Sequence, residues 1–128
     1  MKHSETVLDH FMHPRNAGVL DDPDGVASAY NPQCGDTTRL YLKIEDGVII
    51  DARWQTQGCG TAIAASSIVS VLLKGKPVDE AAQVKRKEIA HALGGLPPAK
   101  VHCSVLAADA VQAALADYRT RKEAVGSG

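Results

Sequence analysis

The chain has 128 residues, 45% of them apolar and 23% charged, with a formal net charge of −1. That balance describes one small globular domain with a core of ordinary size; it excludes a disordered chain and gives no basis for nucleic acid binding. No apolar run approaches the ~20 residues needed to span a bilayer and the N-terminus lacks a signal-peptide core, so a cytoplasmic protein without membrane attachment is expected.

In chain order, Val7, Leu8, Phe11 and Met12 fit one face of an N-terminal helix that Pro14 ends. Asp21-Asp22-Pro23-Asp24-Gly25 is turn chemistry. Val26 to Asn31 is a strand candidate that would complete a three-stranded antiparallel sheet. In Thr38 to Ile44, Leu40, Leu42 and Ile44 alternate with Arg39, Tyr41 and Lys43; in Val48 to Thr56, Val48, Ile50, Ala52 and Trp54 alternate with Ile49, Asp51, Arg53 and Gln55. A two-residue Asp46-Gly47 turn would pair Leu42 with Asp51 and mix the faces. A three-residue loop pairs Ile44 with Val48, Leu42 with Ile50 and Leu40 with Ala52, and keeps one face apolar. Extended outward, that register sets Cys34 opposite Gly58.

After Cys59 the period turns helical, with Ile63, Ala64, Ser67, Ile68, Val71 and Leu72 on one wide face and a stop at Lys74-Gly75-Lys76-Pro77. Asp79 to Leu93 reads as helix, with a break near Lys85-Arg86-Lys87 and closure at Gly94-Gly95. Leu96-Pro97-Pro98-Ala99-Lys100 leads to Cys103. A last helix follows, with Ala107, Ala110, Val111, Ala114 and Tyr118 on one stripe. The expected fold is α+β: a small three-stranded antiparallel sheet with helices packed mainly on one face and a metal site at the hairpin end. Residues 1–124 form a single domain in this reading, and residues 125–128 a loose tail.

The chemistry rests on three cysteines: Cys34-Gly35-Asp36, Gly58-Cys59-Gly60 and His102-Cys103. An odd cysteine number without a secretion signal points to a reducing compartment and to free or metal-bound thiols. The cysteines are too far apart for a zinc finger, so the fold must gather them. No closed four-thiolate site is possible within one chain, which leaves three thiolates and a choice between Asp36 and His102. Cys59, just before a helix, and Cys103, read as placed alike, would have their thiolates favoured by exposed amides and the helix dipole. Such a site suits a metal or cluster that is held and then released.

In Asp9-His10, Pro14-Arg15-Asn16, Cys34-Gly35-Asp36, Gly58-Cys59-Gly60-Thr61-Ala62-Ile63-Ala64, Lys74-Gly75-Lys76, Leu96-Pro97-Pro98 and His102-Cys103-Ser104, the chain resembles the iron–sulfur cluster scaffold family of the IscU / NifU N-terminal type. The resemblance runs in order from about Glu5 to Arg121. It implies a carrier and not an enzyme, on which a [2Fe–2S] cluster is assembled and passed to apoproteins, with Zn²⁺ or Fe²⁺ possible in the resting site. It implies Cys34, Cys59 and Cys103 as ligands, Asp36 as the ligand that keeps the cluster labile, His102 as an alternative ligand and Cys103 as the acceptor of persulfide sulfur. The partners it implies are a cysteine desulfurase, a ferredoxin or frataxin-like protein, the recipient apoproteins, and an Hsp70-type chaperone with its J-type co-chaperone. The chaperone's docking segment is Leu96, Pro97, Pro98, Ala99 and Lys100, with Ala99 where the best-known scaffolds carry valine. The rival within this fold is a zinc-bound sulfur acceptor that builds no cluster. A cysteine hydrolase built on Cys103, a histidine and Asp36 would leave Cys34 and Cys59 without a role.

Overall fold

The computed structural model describes residues 4–32 and 35–126. Three strands, β1 (Gly25–Asn31), β2 (Asp36–Glu45) and β3 (Val48–Gln57), form one antiparallel sheet in the order β1-β2-β3. The helices are α1 (Glu5–Met12), α2 (Gly60–Leu73), the short α3 (Val78–Ala81) and α4 (Arg86–Ala92), and the long α5 (Val101–Gly126), entered through a 3₁₀ turn at Pro98–Lys100. This is the expected α+β architecture. α5 runs two residues past the boundary expected at 124.

One sheet face carries the core. Leu40, Leu42, Ile44, Ile49, Ala52 and Trp54 point into it, and α2 and α5 close over them. α5 contributes Cys103, Ala107, Ala110, Val111 and Ala114 at i, i+3 and i+4 spacing. It lies so close to β1 that a Cβ on Gly25 would stand 2.5 Å from the Ala114 carbonyl oxygen. The Asp117 carboxylate accepts a hydrogen bond from the Val26 amide at 2.9 Å and fixes that contact. On the opposite face Tyr41 lies under Arg39, whose guanidinium is 5.5 Å from the ring centroid, and donates to Gln55 at 2.9 Å.

The hairpin corrects the expected register. Asp46 and Gly47 both take positive φ, 52° and 76°, the signature of a two-residue type I′ turn, and Glu45 pairs with Val48. The mixing of faces that argued against this turn is cured by a bulge. Ile44 pairs with Ile49 and Lys43 with Asp51, so Ile50 stands unpaired between them. A bulge adds one residue to one strand and restores the alternation beyond it. Leu42 then faces Ala52 and not Ile50, Leu40 faces Trp54 and not Ala52, and the buried residue is Ile49 (0% exposed), not Ile50 (46%). Outward from Thr37 and Gln57 it is Asp36, not Cys34, that comes level with Gly58.

Two further expectations change. α1 turns only Val7 and His10 inward, while Leu8, Phe11 and Met12 are exposed. The His10 ring is buried because its Nδ1 meets Ser67 Oγ at 2.7 Å, and the Arg15 amide donates to the same hydroxyl at 2.9 Å. α2 is buried on most sides, not on one stripe: Ser66, Ser67 and Ser70 are inside and each is hydrogen-bonded, whereas Val71 is exposed. The break expected in the 79–93 helix lies between α3 and α4, and Gly94 and Gly95, at φ 81° and 96°, close α4.

The bulge gives a direct test. Ile49→Ala should cost about 2–5 kcal/mol in urea unfolding and Ile50→Ala about 0.5 kcal/mol or less. The register without a bulge predicts the reverse order.

Candidate metal centre

Three elements begin at one end of the sheet. Asp36 opens β2, Cys59 is the N-cap of α2, and Cys103 lies in the first turn of α5. Their ligand atoms all fall within 4.8 Å of one another. Cys59 Sγ is 3.7 Å from Cys103 Sγ and 3.7 Å from Asp36 Oδ2, to which the thiol donates. The Cys59–Cys103 separation matches the edge of a tetrahedron of thiolates about one metal ion with bonds of ~2.3 Å. Two sulfurs and one oxygen so placed can take three corners around a zinc or ferrous ion.

Each position has a local cause. Extended backbone at Cys59 (φ −72°, ψ 167°) hands the chain from β3 to α2, and its carbonyl accepts the first helical bond from Ile63 at 3.2 Å. The sheet and α2 are tied beneath the site by hydroxyls. Thr56 Oγ1 is 2.6 Å from Ser66 Oγ and 3.1 Å from Thr38 Oγ1, and Ser66 also donates to the Ala62 carbonyl. Thr38 lies two residues along β2 from Asp36, on the same face, so this network holds the strand that carries the carboxylate against the helix that follows Cys59.

The placement of Cys103 corrects the sequence expectation. Pro98 starts a 3₁₀ turn that runs straight into α5, so Cys103 sits inside the helix and not before it. Proline is accommodated in the first turn of a helix, where its missing N–H costs nothing. Burial at 1% exposure pushes the Cys103 thiol up to about 12, helped by Cys59 and Asp36, against a smaller opposing pull from Lys100. The expected lowering by the helix dipole is therefore outweighed by desolvation. Asp36, 4% exposed, is the buried carboxylate of the group.

Cys34 lies outside the described residues. Asn31, where β1 ends, pairs with Asp36, where β2 begins, so the segment carrying Cys34 connects two chain ends that meet at this site. His102 is half-buried beside Cys103 and, with Tyr30, Pro32 and Val105, lines a cavity of 310 Å³; it is outside the Asp36, Cys59 and Cys103 group. Leu96 packs against the core, and Pro98 and Ala99 are exposed in the 3₁₀ turn. Phe11 was missed as a neighbour of the site: its ring lies 3.1 Å from where a Cβ on Gly60 would stand. Its expected place on a buried helical stripe concealed it.

Residues 2–125 match the model of the NifU-like N-terminal domain. The chain is similar to the iron–sulfur cluster assembly scaffold protein IscU of Escherichia coli K12, 49% identical over 128 residues that cover 97% of this chain and 99% of that protein. Against the scaffold protein IscU 1 of Archaeoglobus fulgidus it is 49% identical, over 91% of this chain and 76% of the relative. The fold is shared with a solved NifU-like N-terminal domain from Brucella abortus, at TM-score 0.74 and 24% identity over 91% of this chain and 94% of that one.

The raised Cys103 thiol predicts a pH dependence for the metal-free protein. The native state keeps a proton that the unfolded chain loses above its ordinary value of 9.0, so Cys103 favours folding below pH 9 and that contribution is lost as pH rises toward 12. In chemical denaturation between pH 8 and 10.5, the metal-free protein should lose stability with a steeper slope than Cys103→Ala; equal slopes would show a thiol that ionises freely in the fold.

Proposed function

The chain belongs to the NifU-like N-terminal domain family, and from that premise we propose that it is an iron–sulfur cluster assembly scaffold that builds a [2Fe–2S] cluster and passes it on. The observation that carries this reading is the Asp36–Cys59–Cys103 group, with Asp36 and Cys103 buried and Cys59 half-buried, in a chain 49% identical over almost its full length to a scaffold of that name.

The cluster is cargo, and the donor set suits cargo. Cys34, Cys59 and Cys103 supply thiolates, which bind iron and sulfide strongly. Asp36 supplies a harder oxygen donor that matches them less well. A fourth thiolate would hold the cluster too firmly to give it up; a carboxylate leaves one position that an incoming thiolate of a recipient protein can take. His102, next to Cys103 in the chain, is the second candidate for that exchange. The resting group fits one Zn²⁺ or Fe²⁺, and a two-iron cluster requires the donors to spread.

Sulfur arrives from a cysteine desulfurase as a persulfide. The Cys103 thiolate attacks its outer sulfur, a new S–S bond forms on Cys103, and the donor cysteine leaves as thiolate. Burial keeps Cys103 protonated in the closed form, so delivery requires the start of α5 to open, and the proton leaves as it does. Electrons come from a ferredoxin, with a frataxin-like protein as an accessory partner. Leu96–Lys100, directly before α5, is the segment on which an Hsp70-type chaperone and its J-type co-chaperone act; pulling it straight would unwind the turn that leads to Cys103. Pro97→Ala/Pro98→Ala should lose stimulation of the chaperone ATPase, and unchanged stimulation would leave only a connector. Three thiols stay available in a reducing cytoplasm, the compartment we assign.

The central test is Asp36→Ala after anaerobic reconstitution with iron, cysteine and a desulfurase. The folded variant should assemble a cluster whose loss to a chelator or to an apo-ferredoxin is about tenfold slower, a barrier higher by about 1.4 kcal/mol. Faster loss would show that the carboxylate holds the cluster and does not loosen it. A zinc-bound sulfur acceptor would instead yield no sulfide-to-iron charge-transfer bands in either protein.

A further inference from the structure

We propose that Gly58 is a positioning residue for the Asp36 carboxylate: the absence of a side chain at 58 is what lets that carboxylate stand within reach of Cys59. A Cβ on Gly58 would lie 2.5 Å from Asp36 Oδ1, 2.6 Å from Cγ and 3.0 Å from its Cβ. The other carboxylate oxygen, Oδ2, faces Cys59 Sγ at 3.7 Å. The carboxylate is thus wedged between the backbone of Gly58 and the thiol of the next residue.

The reason for glycine here is space and not backbone conformation. Gly58 is on the surface and its φ is outside the left-handed region. Gly35, on the other side of Asp36, is the opposite case: φ is +73° and, among the described residues, nothing lies within 4 Å of its missing Cβ. The three described atoms nearest a methyl at 58 all belong to Asp36, and that side chain cannot swing away as the tip of a long side chain would. Asp36 is 4% exposed, is fixed at the start of β2, and has a side chain only one carbon longer than alanine's. Relief comes by turning the carboxylate away from Cys59 or by parting the ends of β2 and β3, and either removes the oxygen from the metal position.

The inference rests on the reading of Asp36 as a ligand, and a double-mutant cycle separates the two. Zinc affinity is measured by chelator competition for the wild type, Gly58→Ala, Asp36→Ala and the double variant. Displacing a ligand through its neighbour should weaken zinc by about ten- to hundredfold in the wild-type background. In the Asp36→Ala background the two closest of these contacts are gone and the Asp36 Cβ at 3.0 Å remains, which yields by a few tenths of an ångström, so the same substitution should change affinity by less than about twofold. Equal losses in both backgrounds, or no loss in the first, would overturn the proposal. If Gly58→Ala fails to fold, the melting temperature decides: the double variant should recover it, and a double variant as unstable as the single one would overturn the proposal. If the coupling holds while Asp36→Ala leaves cluster release unchanged, Gly58 positions Asp36 as proposed and the release role of Asp36 falls alone.

Discussion

The site depends on α2 and α5 lying on the same apolar face of a three-stranded sheet with their first turns at the same end. Cys59 and Cys103 are 44 residues apart in the chain, and nothing local brings their sulfurs to 3.7 Å. What does so is burial: Ala64, Ala65 and Ile68 of α2 and Ala107, Ala110 and Val111 of α5 share one core with Leu40, Leu42 and Ala52 of the sheet. Burial of this kind stabilises by about 25 cal/mol per Å², and its cumulative strength holds two thiols and a carboxylate together. Small residues matter as much as large ones. Alanines along α5 and the bare Gly25 let the helix lie close enough to the sheet for its first turn to reach Cys59.

The same packing sets the electrostatic surroundings of the site. Cys103 and Asp36 are buried and Cys59 is half-buried, so the site is shielded from water. In that environment the Cys103 thiol resists ionisation, and the favourable partner for its thiolate is a cation. Binding an ion therefore expels a proton and relieves a desolvation cost, and losing the ion restores both. On the proposed reading of Asp36, a carboxylate in place of a further thiolate limits how deep that well becomes. The hydroxyl network of Thr38, Thr56 and Ser66 holds the carboxylate's strand against α2.

The strands, the N-cap position of Cys59 and the glycine end of α4 were legible because each follows from short-range pattern: alternation, a switch to helical period, and glycine at positive φ. The register was not. The type I′ turn at Asp46-Gly47 was rejected because it mixed faces, and a single bulge at Ile50 removes that objection; Ile49 and Ile50 are chemically the same, so no local signal says which one turns inward. The exposed face of α1 was hidden for a related reason. A two-turn helix offers several apolar stripes, and the choice fell to a hydrogen bond between His10 and Ser67, 57 residues away. The two prolines before Cys103 suggested a loop, but prolines also start helices, and here they begin the turn that makes Cys103 part of α5. Residue type and setting singled out the carboxylate and the two thiols that the structure brings together, while their mutual geometry belongs to the tertiary fold.

The most direct measurement is Mössbauer spectroscopy of the protein reconstituted anaerobically with iron-57. Ligation by three thiolates and the Asp36 oxygen predicts two ferric sites with different quadrupole splittings, one sulfur-ligated and one mixed, which become alike in Asp36→Cys. Two equivalent irons in the wild-type protein, unchanged by that substitution, would contradict a site whose release rests on its carboxylate.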